Sequence, residues 1–179
     1  MKKIFFFTIA FTALCGCSYF DKDAKIKQSE AQMYLTGEKG QEEEIGLVVF
    51  NDTKDGLKIS VNLHSLPAGE HGFHVHEKPS CAPMVKNGTV EMAAMAGGHY
   101  DPARTKKHLG PNGGGHKGDL PRLTVNNNGT AKATFYLKDV KAGEFKNRAL
   151  MIHAGGDNYS DTPAALGGGC ARIACGIIQ

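Results

Sequence analysis

The chain has 179 residues, with 23 glycines, 7 prolines, no tryptophan and a formal charge of +3 at pH 7. That length suits one domain with its own core, and the glycine and proline content favours a turn-rich β protein over a helical bundle. So weak a charge gives no argument for nucleic acid, and no such partner is expected.

The chain opens MKKIFFFTIAFTALCGC, with Lys2 and Lys3 ahead of an apolar run from Ile4 to Leu14. This is the pattern of a secretory signal, and the run is too short for a comfortable membrane span. Leu14, Gly16 and Cys17 resemble a bacterial lipobox, which implies a signal peptide over 1–16 and a lipid on the sulfur of Cys17. An ordinary signal cleaved nearby and an uncleaved signal anchor are the alternatives. Durable membrane attachment needs more than one acyl chain, because one chain binds only marginally. The polar stretch after it reads as a flexible tether, giving 17–29 as lipidated cysteine and tether and 30–179 as the folded domain. With Cys15 and Cys17 set aside, Cys81, Cys170 and Cys175 remain. An oxidising compartment allows one disulfide and leaves one thiol, and spacing does not say which pair forms.

Ala31–Thr36 and Glu44–Asn51 are strand-like, and Leu57–Leu66 alternates apolar and polar as a half-buried strand does. Asp55-Gly56 between them is a hairpin-turn signal. The segment HGFHVHE, His71 to Glu77, reads as a short strand. In extended backbone His74 and His76 share one face while Val75 takes the other, so the two imidazoles either converge on one ion or are simply solvated. Lys78 to about Arg122 has little periodicity and many glycines and prolines, and loops of that length in a compact domain are usually functional. RLTVN and TAKATFYL around NNG read as a hairpin. RALMIHA is a strand, GGDNYSDTPAALGGG a second long loop, and ARIACGII a last strand. The sum is an all-β protein, an eight-stranded antiparallel Greek-key sandwich or flattened barrel with two long functional loops.

Six of the eight histidines sit in or beside the unusual segments. His74 and His76 end a strand, His99, His108 and His116 lie in the first long loop with Asp119 after them, and His153 lies where a strand enters the second loop. A loop that builds no core can be held by metal, because ligand binding energy becomes folding energy. Three histidines and an aspartate form a closed set of the kind zinc prefers, and imidazole-rich sets also suit copper. Six histidines and one aspartate are seven ligands, one short of two four-coordinate sites, so one ligand would have to bridge.

The motifs GEHGFHVHE, GGHYDPARTKKHLGP, HKGDLP, MIHAGGDNYSD and GGGCARIACGII, in this order, closely resemble the copper,zinc superoxide dismutases, and among them the bacterial periplasmic branch. The resemblance runs over roughly residues 30–179 and implies dismutation of superoxide to O₂ and H₂O₂ by one copper and one zinc per subunit. It implies copper ligands His74, His76, His99 and His153, and zinc ligands His99, His108, His116 and Asp119, with His99 bridging. It implies that His99 leaves copper on reduction and carries one proton, and that Arg172 docks the anion. Asp157 would link ligand histidines of both sites, fixing their tautomers. Cys81 and Cys175 would form the disulfide, leaving Cys170, which stands where the family pattern has glycine, as a free thiol. His71 matches a structural histidine and His64 matches none. Lys86 is a candidate for steering the substrate, with a solvated loop lysine as the plain alternative.

The resemblance further implies protection of the bacterial envelope from superoxide. The chain would be lipid-anchored in the periplasm, at the outer rather than the inner membrane because Ser18 rather than Asp follows Cys17. The branch includes monomers and dimers, so a homodimer is open. A copper or zinc carrier without turnover, or a zinc hydrolase with an open zinc, are the competing readings. Intact ligand sets with Arg172 argue against the first, and a closed zinc set argues against the second.

Overall fold

A computed structural model describes residues 28–179. The signal peptide, Cys17 and the tether up to residue 27 lie outside the described residues. Strand β1 (Gln28–Gly37) begins two residues earlier than the sequence boundary, so Gln28 and Ser29 belong to the sheet. Ser29 is buried there and its hydroxyl donates to the Ala142 carbonyl at 3.2 Å.

β1 turns into β2 (Gly40–Thr53), and β2 turns into β3 (Gly56–Leu63) through Lys54 and Asp55, where the Asp-Gly signal predicts a hairpin. Along β3 the alternating residues Leu57, Ile59, Val61 and Leu63 are buried, as the period of two requires. With β5 (Phe73–His76), β9 (Ala131–Leu137), β10 (Ala149–His153) and β11 (Arg172–Ile177) they form a seven-stranded antiparallel sheet in the order β5-β10-β11-β1-β2-β3-β9. The sheet curls into a half-barrel, in keeping with the all-β class. Its inner face carries the main core, where Phe50 meets Phe145 edge-to-face at 6.0 Å on the short helix α1 (Ala142–Phe145).

The strand count differs from eight, since eleven strands are present among the described residues. The stretch taken as one strand at 71–77 breaks at Gly72 into β4 (Gly69–His71) and β5. The first long loop contains its own hairpin, β6 (Met84–Lys86) with β7 (Thr89–Glu91). The expected hairpin at 122–137 does not form as a ladder. The turn closes, with Asn126 N–H donating to the Thr130 carbonyl, but β8 (Leu123–Val125) pairs with β4 while β9 pairs with β3. Each strand follows its buried partner, and a local turn cannot impose a ladder against that.

Two features of this topology place the site. β5 pairs on one side only, with β10, in a register that sets His74 opposite Met151 and His76 opposite Ala149. The first long loop covers its open edge. Val75 N–H donates to the Gly118 carbonyl and Tyr100 N–H to the Val75 carbonyl, both at 2.8 Å. Isolated bridges then set His76 beside His99 and His74 beside Asp119. On the far side of β10, a register shift places His153 opposite Arg172 of β11. Because loop backbone satisfies the edge of β5, all four residues of that strand are buried, and the two imidazoles are not solvated.

Candidate metal centre

His74, His76, His99 and His153 each offer a ring nitrogen within 4.8 Å of the others, and all four are buried. Hydrogen bonds decide which nitrogen each has free. His74 donates from Nε2 to Asp157 Oδ2 at 2.7 Å, leaving Nδ1 buried and unpartnered. His76 donates from Nδ1 to the Gly97 carbonyl at 2.9 Å, and His153 from Nδ1 to the Cys170 carbonyl at 3.3 Å. Their Nε2 atoms face each other at 3.4 Å. His99 uses Nδ1 toward Asp119 Oδ1 at 2.9 Å, so its Nε2 is left for this cluster.

A second group adjoins the first. His74, His99, His108 and Asp119 also bring ligand atoms within 4.8 Å, so His74 and His99 belong to both groups, but His74 has only Nδ1 free because Asp157 takes its Nε2. His116 stands just outside this tight set, with Nδ1 3.4 Å from Asp119 Oδ1. His108 Nδ1 lies 2.9 Å from Asp119 Oδ2, yet neither atom has a hydrogen-bond partner because they are not aligned for one. His108 Nδ1, His116 Nδ1 and Asp119 Oδ2 are thus buried polar atoms left without partners, an arrangement that costs about 1–3 kcal/mol each unless something fills it. Convergent, unpartnered imidazole and carboxylate atoms fit a cation. The first group is all imidazole, as copper accepts, and the second is imidazole plus carboxylate, as zinc accepts.

Asp157 joins the two groups, taking His74 on Oδ2 and His108 Nε2 on Oδ1, both at 2.7 Å. Gly167 passes directly over it with φ of +74°, and a Cβ there would lie 2.1 Å from Asp157 Oδ1. Only glycine fits, so a Gly167→Ala chain is expected to retain less metal after dialysis than the parent. His71 bridges the His153 and Pro67 carbonyls at 2.7 and 2.9 Å, the structural role expected of it. His64 is exposed.

Arg172 donates to the Ala93 carbonyl at 2.6 Å and to the Gly97 carbonyl at 2.7 Å. Gly97 therefore orients both His76 and Arg172. Its φ of +78° and ψ of −154° fall in a region open essentially to glycine alone. Gly97, Gly167 and Asp161, whose Oδ2 accepts the His108 N–H at 2.9 Å, are contributors that sequence reading passed over. The glycine pairs in GGHYDP and ALGGG were their signal. The disulfide joins Cys81 and Cys175, and Cys170 is free and exposed. Cys170 has φ of +61°, which explains why glycine suits that place. Lys86 of β6 places its ammonium 3.7 Å from the carboxylate of Glu91 on β7, with both side chains exposed.

The electrostatics of the metal-free centre oppose protonation of the all-imidazole group. Burial, together with the neighbouring imidazoles, lowers His99 to about 4 and His153 to about 3, and burial with His99 beside it lowers His76 well below its ordinary value. For His108, burial opposes the charge but Asp119 and Asp157 outweigh it and raise the pKa to about 9. Burial also works against ionised Asp119 and Asp157, but their histidine partners hold both below the usual carboxylate range. The lowered histidines contribute stability that is present above pH 6.5 and lost as pH falls toward 4 and 3, and the two aspartates contribute stability that is present above pH 3.8 and lost below it. His108 contributes stability that is present below pH 6.5 and lost as pH rises through 9. The metal-free chain is therefore expected to be most stable near neutrality, with urea midpoints falling on both sides. A midpoint still rising from pH 7 to 10 would contradict this.

A family profile described as copper/zinc superoxide dismutase (SODC) matches residues 44–178. The chain belongs to the copper/zinc superoxide dismutase family. A copper-zinc superoxide dismutase of Brucella abortus is 50% identical over 154 residues, covering 86% of this chain and 89% of the relative. A copper-zinc superoxide dismutase 2 of Salmonella typhimurium is 46% identical over an alignment of 180 positions that covers both chains in full. Among solved structures, the enzyme from Brucella abortus superposes with a TM-score of 0.80 at 50% identity, covering 85% of this chain and 99% of that one. The solution structure of the monomeric enzyme from Salmonella enterica gives 0.74 at 49% identity, covering 85% and 99%. The chain is an oxidoreductase of this family, and its two histidine groups can hold copper and zinc.

Proposed function

We propose that the protein dismutates superoxide to O₂ and H₂O₂, with copper held by His74, His76, His99 and His153 and zinc by His99, His108, His116 and Asp119. The observation that carries this reading is His99, whose two ring nitrogens face the two groups. When bound, copper supplies a one-electron couple and zinc a fixed charge without redox chemistry. Arg172 keeps its charge at any working pH and has five donors, of which two are tied to carbonyls, so the rest can meet a small anion. With Nδ1 on the zinc side, a neutral His99 ring can carry its one proton at Nε2, on the copper side. Lys86 would add to the attractive field, with Glu91 offsetting it.

The protein acts at the bacterial cell envelope, anchored by lipid on Cys17 at the outer membrane, and protects that compartment from superoxide. The lipobox-like LCGC supports this reading. Sedimentation velocity of the full chain distinguishes a monomer from a homodimer.

The test is metal content with dismutation rate for the purified protein, His153→Ala and Arg172→Ala. The parent is expected to hold one copper and one zinc and to turn over. His153→Ala should lose copper and activity. Arg172→Ala should keep both metals and lose about ten- to a hundredfold in rate, the value of a hydrogen-bonded charge. Full copper and zinc with negligible dismutation in the parent would overturn the reading.

A further inference from the structure

His116 differs from the rest of the zinc set. The side chains of His99, His108 and Asp119 are at most 1% exposed, whereas that of His116 is 8% exposed. It opens onto a cavity of about 560 Å³ between the first long loop and the β9–α1 connection, walled by His116 and Asp119 with Ala103, Thr105, Lys117 and Val140. No copper-side histidine and no Arg172 lines it. Arg172 lines a separate cavity, with Glu91, Met92, Ala94 and Cys170. Two of the unpartnered buried atoms, His116 Nδ1 and Asp119 Oδ2, belong to residues of the first cavity's wall.

We propose that this cavity is a port for zinc, separate from the cavity that Arg172 lines, and that His116 is the last ligand to engage and the first to release. The inference rests on the assignment of His99, His108, His116 and Asp119 to zinc. A ligand can swing away only if its backbone neighbours allow it. The His116 N–H is tied to the Lys107 carbonyl at 3.0 Å. Lys117, next in the chain, is ion-paired with Glu144 of α1, whose other carboxylate oxygen accepts the Lys141 N–H at 2.8 Å. The Lys117–Glu144 pair thus ties the His116 side of the port to α1. Three ligands, His99, His108 and Asp119, stay buried behind it, so zinc can leave through the port without passing His76 or His153.

The full chain, loaded with copper and zinc, is mixed with excess 4-(2-pyridylazo)resorcinol, and zinc release is followed by dye absorbance. Copper retained is then counted by elemental mass spectrometry. Ala103→Trp and Thr105→Trp crowd the port and are expected to slow zinc release by about tenfold, because a packed side chain must first be displaced. Lys117→Met removes this tie and is expected to speed release about two- to fivefold, the scale of a partly exposed ion pair. Ala94→Trp, beside Arg172, should leave zinc release unchanged. Crowding variants that release zinc at the parent rate, or an equal slowing by Ala94→Trp, would overturn the port while leaving the zinc assignment intact. A parent that holds no zinc at all would remove both.

Discussion

Asp157→Ala is expected to weaken zinc binding about 10- to 100-fold, the usual cost of removing a hydrogen-bond partner of a metal ligand, and to weaken copper binding as well. One carboxylate holds His74 and His108 at 2.7 Å on its two oxygens, so a single substitution frees a ring in each group. Each ring then loses the bond that leaves its Nδ1 for metal, and each Nε2–H becomes a buried donor without a partner at about 1–3 kcal/mol. Tyr159 N–H, 2.7 Å from Asp157 Oδ1, is orphaned too, so the second loop loosens with the rings. Competition with a chelator of known affinity measures both metals. The two effects should appear together, and a loss confined to zinc, or an affinity within twofold of the parent, would mean that packing and not Asp157 orients the rings.

Replacing both Cys81 and Cys175 by alanine is expected to lower stability by about 2–4 kcal/mol, read as a shifted urea midpoint. The bridge closes a loop of 94 positions, for which the chain-entropy account gives ~4.7 kcal/mol, at the upper end of what native disulfides contribute. The effect on rate follows from where the bridge sits. Cys81 and Cys175 pack with Ala93 and Ala96 in one small buried cluster. Ala93, with Gly97 just beyond Ala96, supplies the carbonyls that hold Arg172, while Arg172 itself lies three residues from Cys175 on β11. Loosening the loop therefore releases the guanidinium from its fixed place. Dismutation per bound copper should fall while the copper content changes little. Unchanged turnover in the unbridged variant would show that β11 alone positions Arg172.

Much of the centre was legible because its chemistry resides in side chains with few other uses at such spacing. His74 and His76, one residue apart in a β-type stretch, had to share a face. His99, His108, His116 and Asp119 crowd a segment with too little apolar content to hold itself. The hairpin at Asp55-Gly56 and the single disulfide with one thiol left over were equally open to reading. The resemblance to a known family then assigned the roles, and the geometry brings those residues together around unpartnered atoms.

Other features depended on partners far away in the chain. Whether 122–137 forms a hairpin depends on β3 and β4, which draw β9 and β8 apart. That β5 is an edge strand, and that the first loop repairs the edge through Gly118 and Tyr100, places His99 and Asp119 beside His76 and His74. That Arg172 stands opposite His153 follows from the β10–β11 register. Gly97 orients Arg172 and His76 with its carbonyl oxygen, an acceptor that every residue carries and no sequence pattern marks. The sequence by itself determined which groups could bind metal and which of them lie on one strand face, because side-chain chemistry and the period of two are local properties. Only the tertiary structure decided which nitrogen each histidine presents and where the arginine is held, because both are set by hydrogen bonds to backbone and carboxylate groups that meet only when the loops close over β5.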